Sequence, residues 1–198
     1  MAIRPYKAVI FDRDGTLNRT TRILRAGQHA QDPTDGYVLH PDELELLPTA
    51  AQTIALLRQN SVLPFVFTQQ NCIHKGLVTL PVIDDIHARM NMLLGPLAQI
   101  EAFYVAVSPH DPRAKPAPTM IHEIMSAYAL APHQIVVIGD SRRDCQAAQA
   151  AGVDFIWVRD DLARVTEDVM RASGYPVFDD VLSAITAQVL NNSVAPRN

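Results

Sequence analysis

The sequence predicts an α/β protein, a Rossmann-like three-layer α/β/α sandwich around a mainly parallel sheet. Two patterns carry that prediction. Short apolar runs rich in β-branched and aromatic residues alternate with stretches of helical period, the arrangement that lays helices over both faces of a parallel sheet. Several of those runs end on polar residues, and in an open α/β sheet that edge is where ligands bind. A chain of 198 residues, 48% hydrophobic and 19% charged, is of a size to bury one core. Residues 1–190 are expected to form one domain and 191–198 a loose tail.

The elements follow in order. Residues 7–12 (KAVIFD) read as a buried strand ending on an aspartate. Residues 13–47 carry Gly15, Gly27, Pro33, Gly36 and Pro41, more turn chemistry than one helix tolerates, and read as a long functional loop. In 49–60, Ala50, Ile54 and Leu57 fall at helical spacing behind Thr49, which can cap. Residues 61–67 (SVLPFVF) return to strand character, with Pro64 removing one ladder donor. Residues 84–94 have helical period, with Ile86, Met90, Leu93 and then Leu97 on one face and Met90 and Met92 as core filling. A strand over 102–107 (AFYVAV) and a helix after Pro118, through Ile121, Ile124, Met125 and Tyr128, come next. The strand 135–139 (IVVIG) leads through Asp140 into an alanine-rich helix stopped by Gly152, and 154–158 (DFIWV) is the last strand read.

Seventeen Lys and Arg against 21 Asp and Glu give a net charge of −4, which provides no global pull toward nucleic acid or anionic lipid. The start lacks a secretory pattern, and no apolar run approaches the roughly 20 residues that span a bilayer. A cytoplasmic monomer with no membrane or nucleic-acid partner is expected. Cys72 and Cys145 are the only cysteines; they build neither a disulfide framework nor a four-cysteine zinc site, and both are expected to be small buried side chains.

Asp12, Thr68, the loop leading to Lys115, and Asp140 each follow the carboxyl end of a strand, and in this architecture those ends converge. Asp12 and Asp14 are two residues apart, so in extended chain both carboxylates point to one side, and Gly15 permits a sharp departure. Carboxylates so crowded need a divalent cation, a lysine or a shared proton. Asp140 and Asp144 add oxygen ligands, and an all-oxygen set suits Mg²⁺ better than zinc. Lys115 can balance the acids and a bound phosphate. Of the seven histidines, only His110 is placed beside the site.

These residues resemble the haloacid dehalogenase superfamily of aspartate-nucleophile phosphatases. FDRDGTLN (11–18) is similar to its first motif, FTQQN (67–71) to its second, Lys115-Pro116 to its third and GDSRRD (139–144) to its fourth. By that likeness Asp12 is the nucleophile that becomes a phosphoaspartate, and Asp14 protonates the leaving alcohol and then deprotonates water. Thr68 and Lys115 hold phosphoryl oxygens, and Mg²⁺ lies between Asp12, the main-chain carbonyl of Asp14, and Asp140. Gly36-Tyr37-Val38, the following HPDE and the short path from Thr68 to Lys115 are similar to the capless histidinol-phosphate and heptose-bisphosphate phosphatase branch. The resemblance implies a HAD-like fold with no large cap domain and a small-molecule phosphate ester as substrate. D-glycero-D-manno-heptose 1,7-bisphosphate losing its 7-phosphate is favoured over histidinol phosphate and other small-molecule phosphates.

The chain departs from the branch in three places. The loop before Lys115 (SPHDPRAK) offers His110 and no cysteine where relatives often carry a Cys/His zinc loop, so no structural zinc is expected. The second motif reads Thr68-Gln69-Gln70-Asn71, and Gln69, Gln70 and Asn71 are expected to face substrate. Arg113, one position further from the lysine than in the family pattern, is expected to reach phosphate, and Arg142 and Arg143 a second substrate phosphate. A polynucleotide 3′-phosphatase has a similar first motif, but the acidic balance counts against it. A receiver or other non-catalytic phospho-binding domain also gathers acids, a threonine and a lysine; the second acid after Asp12 and the late Asp140 favour the hydrolase.

Overall fold

The computed structural model describes residues 6–20, 36–159 and 165–190. The expected tail at 191–198, and residues 21–35 of the long loop, lie outside the described residues. Six parallel strands form one sheet in the order β3-β2-β1-β4-β5-β6: β1 (Ala8–Phe11), β2 (Leu63–Gln69), β3 (Ala102–Ala106), β4 (Ile135–Gly139), β5 (Asp154–Val158) and β6 (Val177–Phe178). The chain works outward from β1 to β3, then returns to β4 on the other side of β1. That reversal opens a crevice between the carboxyl ends of β1 and β4.

Alternation along β1 divides the core. Val9 and Phe11 join one cluster with Ile54 and Leu57 of α1 (Ala50–Gln59), Ile83, Ile86 and Met90 of α3 (Leu80–Leu94), and Ile185 of α7 (Val181–Ile185). Ala8 and Ile10 join the other, with Ile121 and Ile124 of α4 (Thr119–Ala127), Ala147 and Ala148 of α5 (Arg142–Ala151) and Met170 of α6 (Glu167–Ala172). A short α2 (Asn71–His74) follows β2. Cys72 and Cys145 are buried and unpaired, and no helix among the described residues is long and apolar enough to cross a membrane.

Three local expectations need correction. Thr49 makes no side-chain cap, because its backbone is already helical. The third helix starts at Leu80, four residues earlier than its apolar period suggested, with Pro81 in its first turn. The buried face is Ile83, Ile86, His87, Met90 and Leu94, and Met92, Leu93 and Leu97 are exposed. Pro64 is tolerated inside β2 because its carbonyl, and so its missing N–H, face β3 one position before Phe65 pairs with Ala102. The final strand, of two residues, is too short for any alternation to reveal.

Candidate active site

Asp12 leaves β1 and is pinned to its neighbour, its N–H donating to the Ile138 carbonyl at 3.0 Å. Lys115 arrives from the loop before α4. Its Nζ donates to Asp12 Oδ1 at 2.7 Å and to Asp144 Oδ1 at 2.6 Å, and lies 4.3 Å over the Phe67 ring. All three side chains are nearly closed to solvent. Burial pushes the Asp12 carboxyl up to about 6, more than the lysine pulls it down. Burial also opposes the charge on Lys115, but the carboxylates of Asp12 and Asp144 outweigh it and raise the ammonium above its ordinary value.

Asp14 stands on a tight loop in which Gly15, at φ +91°, turns back so that its N–H reaches the Asn18 carbonyl. Its carboxylate accepts from Asn18 Nδ2 at 2.9 Å, Gln70 Nε2 at 2.8 Å and the Arg13 guanidinium at 3.0–3.2 Å. Burial would raise its pKa, yet Arg13 and these hydrogen bonds hold it below the usual carboxylate range. The same Gln70 nitrogen donates to Thr68 Oγ1 at 2.8 Å, tying the end of β2 to the Asp14 loop.

The β4–α5 turn presents the other acids. Ser141, and not Asp140, caps α5: its Oγ accepts from the Asp144 N–H, while Asp144 Oδ2 accepts from the Ser141 N–H and hydroxyl. Asp144 therefore spends one oxygen on the cap and the other on Lys115. Carboxylate oxygens of Asp12, Asp140 and Asp144 lie within 4.8 Å of one another. Three buried acids gather their oxygens here, and the donors are all oxygen, so the residues fit a hard divalent cation.

A cavity of about 310 Å³ opens over this cluster, bordered by Asp12, Asp14, Thr68, Lys115 and Asp140. Of the residues expected to touch substrate, Gln69, Asn71 and Arg143 border it; Tyr37 and Ser141 do so as well. The other three lie elsewhere. Gln70 is buried behind Asp14 as its hydrogen-bond donor, Arg113 pairs instead with Glu123 at 2.9 Å, and Arg142 does not border the cavity. His110 lies on the exposed loop with its ring 5.9 Å from that of His74. Sequence reasoning missed Arg13, Asn18 and His87; the only signal for His87 was its place on the apolar stripe of α3.

A family model for HAD-hydrolase-like proteins matches residues 112–184. The chain is 31% identical over 152 residues to the D-glycero-beta-D-manno-heptose-1,7-bisphosphate 7-phosphatase of Bordetella bronchiseptica, covering 74% of this chain and 76% of that one. The enzyme of that name from Pseudomonas putida is 26% identical over 189 residues, covering 93% and 99%. Among solved structures, the D,D-heptose 1,7-bisphosphate phosphatase of B. bronchiseptica, complexed with magnesium and phosphate, superposes with a TM-score of 0.76 at 26% identity, covering 95% of this chain and 99% of that one. A cobalt-bound deoxy-D-mannose-octulosonate 8-phosphate phosphatase from Haemophilus influenzae, at 17% identity and a TM-score of 0.59, covers 96% and 90% and shares the fold.

Proposed function

We propose a reaction on one premise: this chain belongs to the haloacid dehalogenase-like (HAD) hydrolases. It is a hydrolase of phosphate monoesters, and its substrate is a small sugar phosphate, D-glycero-D-manno-heptose 1,7-bisphosphate, from which it removes the 7-phosphate. The names of the relatives support the sugar. The observation that carries the chemistry is the salt bridge of Asp12 with Lys115 at the floor of a cavity that Asp14 also borders.

Asp12 attacks phosphorus through one carboxylate oxygen, the bond from phosphorus to the sugar oxygen breaks, and Asp14 gives that oxygen its proton. Water then attacks the phosphoaspartate, Asp14 takes the water's proton, the phosphorus–oxygen bond to Asp12 breaks, and inorganic phosphate leaves. Lys115 and Thr68 hold phosphoryl oxygens through both steps. A bound ester brings negative charge beside Asp14, which offsets the pull of Arg13 and raises the affinity of Asp14 for the proton it delivers. A Mg²⁺ ion held by Asp12, the Asp14 carbonyl and Asp140 would supply the positive charge that lets a carboxylate approach an anionic ester. Arg143, at the cavity's rim, takes the second phosphate, and Gln69 and Asn71 face the sugar hydroxyls.

Steady-state kinetics on a panel of sugar, histidinol and aryl phosphates with Mg²⁺ tests this. The heptose bisphosphate should give the highest kcat/KM, and Asp12→Asn should lower turnover by about a thousandfold or more. Near-normal turnover in Asp12→Asn would remove the covalent mechanism, and a better substrate elsewhere on the panel would replace the sugar.

A further inference from the structure

Arg13 is fully buried, and its donors divide between two partners. Nε and Nη2 lie 3.0–3.2 Å from both oxygens of Asp14, while Nη1 faces Nε2 of His87 at 3.3 Å. A guanidinium only donates and stays protonated. Nε2 of His87 must therefore be bare, which makes the imidazole neutral with its proton on Nδ1. His87 projects from α3 and is 4% exposed. Its ring lies flat on Phe103 of β3, 4.2 Å between centroids and 9° between planes. Burial, and then the charge of Arg13, push its pKa down to about 3, in keeping with a neutral acceptor.

We propose that His87 is a positioning residue that acts through Arg13: its Nε2 lone pair fixes the guanidinium plane, so that the other edge holds the Asp14 carboxyl at the leaving oxygen. The inference rests on the reading of Asp14 as acid and base. A buried guanidinium with one edge unbonded is costly and would turn toward other acceptors, loosening its two-point grip on Asp14. A carboxylate in place of His87 would satisfy that edge but compete for the positive charge that Asp14 feels. A neutral acceptor held flat by an aromatic ring satisfies the edge and leaves the charge to Asp14.

Two variants separate the acceptor from the ring. His87→Phe keeps a flat ring against Phe103 and removes the acceptor, whereas His87→Gln removes the ring and keeps an acceptor. Each is compared with the unmodified protein on an alkyl and an aryl phosphate, following the first turnover and the steady state. The phenolate of an aryl ester leaves without needing a proton. His87→Phe should slow the first turnover of the alkyl ester about 10- to 100-fold while leaving that of the aryl ester within about twofold. The aryl reaction should then become a burst followed by slow turnover, because Asp14 also activates water. His87→Gln should return the alkyl rate to within about threefold of the unmodified protein. Equal first-turnover losses on both esters, an unchanged alkyl first turnover in His87→Phe, or a glutamine variant no better than the phenylalanine one overturns the proposal. Nitrogen-15 spectra of the unmodified protein give a check that needs no variant: His87 should carry its proton on Nδ1, and a proton on Nε2 at neutral pH overturns the proposal. An unmodified protein that releases phosphate from neither ester would instead bring down the phosphatase reading itself, whatever the tautomer.

Discussion

Arg142 and Arg143 are neighbours at the start of α5, yet only Arg143 borders the cavity. Arg143→Ala should therefore raise KM for a bisphosphate about tenfold or more and leave KM for an aryl monophosphate nearly unchanged, whereas Arg142→Ala and Arg113→Ala should do neither. Equal effects on the two esters would remove Arg143 from the second-phosphate role. His87 carries a separate consequence for stability. Its pKa is about 3 in the folded protein against an ordinary 6.5, so between those values the unfolded chain binds a proton that the folded chain refuses. The stability tied to neutral His87 is complete above about pH 6.5 and is lost as pH falls toward 3, by up to about 1.4 kcal/mol per unit. Urea denaturation at pH 7 and pH 5 should show a smaller loss for His87→Gln than for the unmodified protein; an equal loss would assign the effect to other groups. Asp12, Asp14 and Lys115 were legible because carboxylates at that spacing after a strand demand compensation. The partners of Gln70 and Arg113 were not legible because which way a side chain turns from a loop is decided by groups outside that loop, Asp14 for one and Glu123 for the other.

The β4–α5 turn is the element on which the acid cluster depends. Gly139 ends β4, and a Cβ there would meet Asp144 Oδ2 at 2.7 Å and Cγ at 2.8 Å. Asp144 closes the capping box with Ser141 and holds Lys115, so a displaced Asp144 would carry Lys115 away from Asp12. Gly139→Ala should cost about 1–3 kcal/mol, lower Tm by roughly 3–10 °C, and reduce kcat as well. Gly152→Ala is the matched control, at the other end of the same helix. Its φ of +69° is unfavourable for alanine, but nothing lies within 4 Å of the added carbon, so it should cost about 1–2 kcal/mol with kcat unchanged. Calorimetry paired with phosphate release checks both, and normal kcat in Gly139→Ala would break the link from turn to lysine. Strands β4 and β5 were legible to the residue because they are continuous apolar runs bounded by turn signals. The start of α3 was not, since its first turn, Leu80 to Ile83, is apolar at every position although Leu80 and Pro81 are exposed, and so shows no stripe.

At the scale of the whole molecule, two apolar clusters on opposite faces of one sheet fix the strand ends, and the reversal between β1 and β4 brings Asp12 and Asp140 to a common crevice. The convergence of Asp12, Thr68, Lys115 and Asp140 was legible before any coordinates because a parallel sheet lines up all its carboxyl ends on one edge. The buried bracing of Asp14 by α3 was not, because it depends on a helix face packing across the sheet. The fold thus holds the carboxylate oxygens of Asp12, Asp140 and Asp144 close together, and the repulsion between like charges crowded into a buried site works against the folded state. A divalent cation that binds only when these acids are gathered should relieve that repulsion and stabilise the whole sheet. At a free Mg²⁺ concentration a hundred times Kd the gain is about 2.7 kcal/mol, or roughly 5–10 °C in Tm for a chain of this size. Melting curves with Mg²⁺, and with the metal removed by chelator, should differ by that amount in the unmodified protein. Asp140→Asn, which removes one carboxylate ligand, should gain little from added Mg²⁺. A full Mg²⁺-dependent shift in Asp140→Asn would show that the ion is held elsewhere, and the proposed role of Asp140 would fall with it.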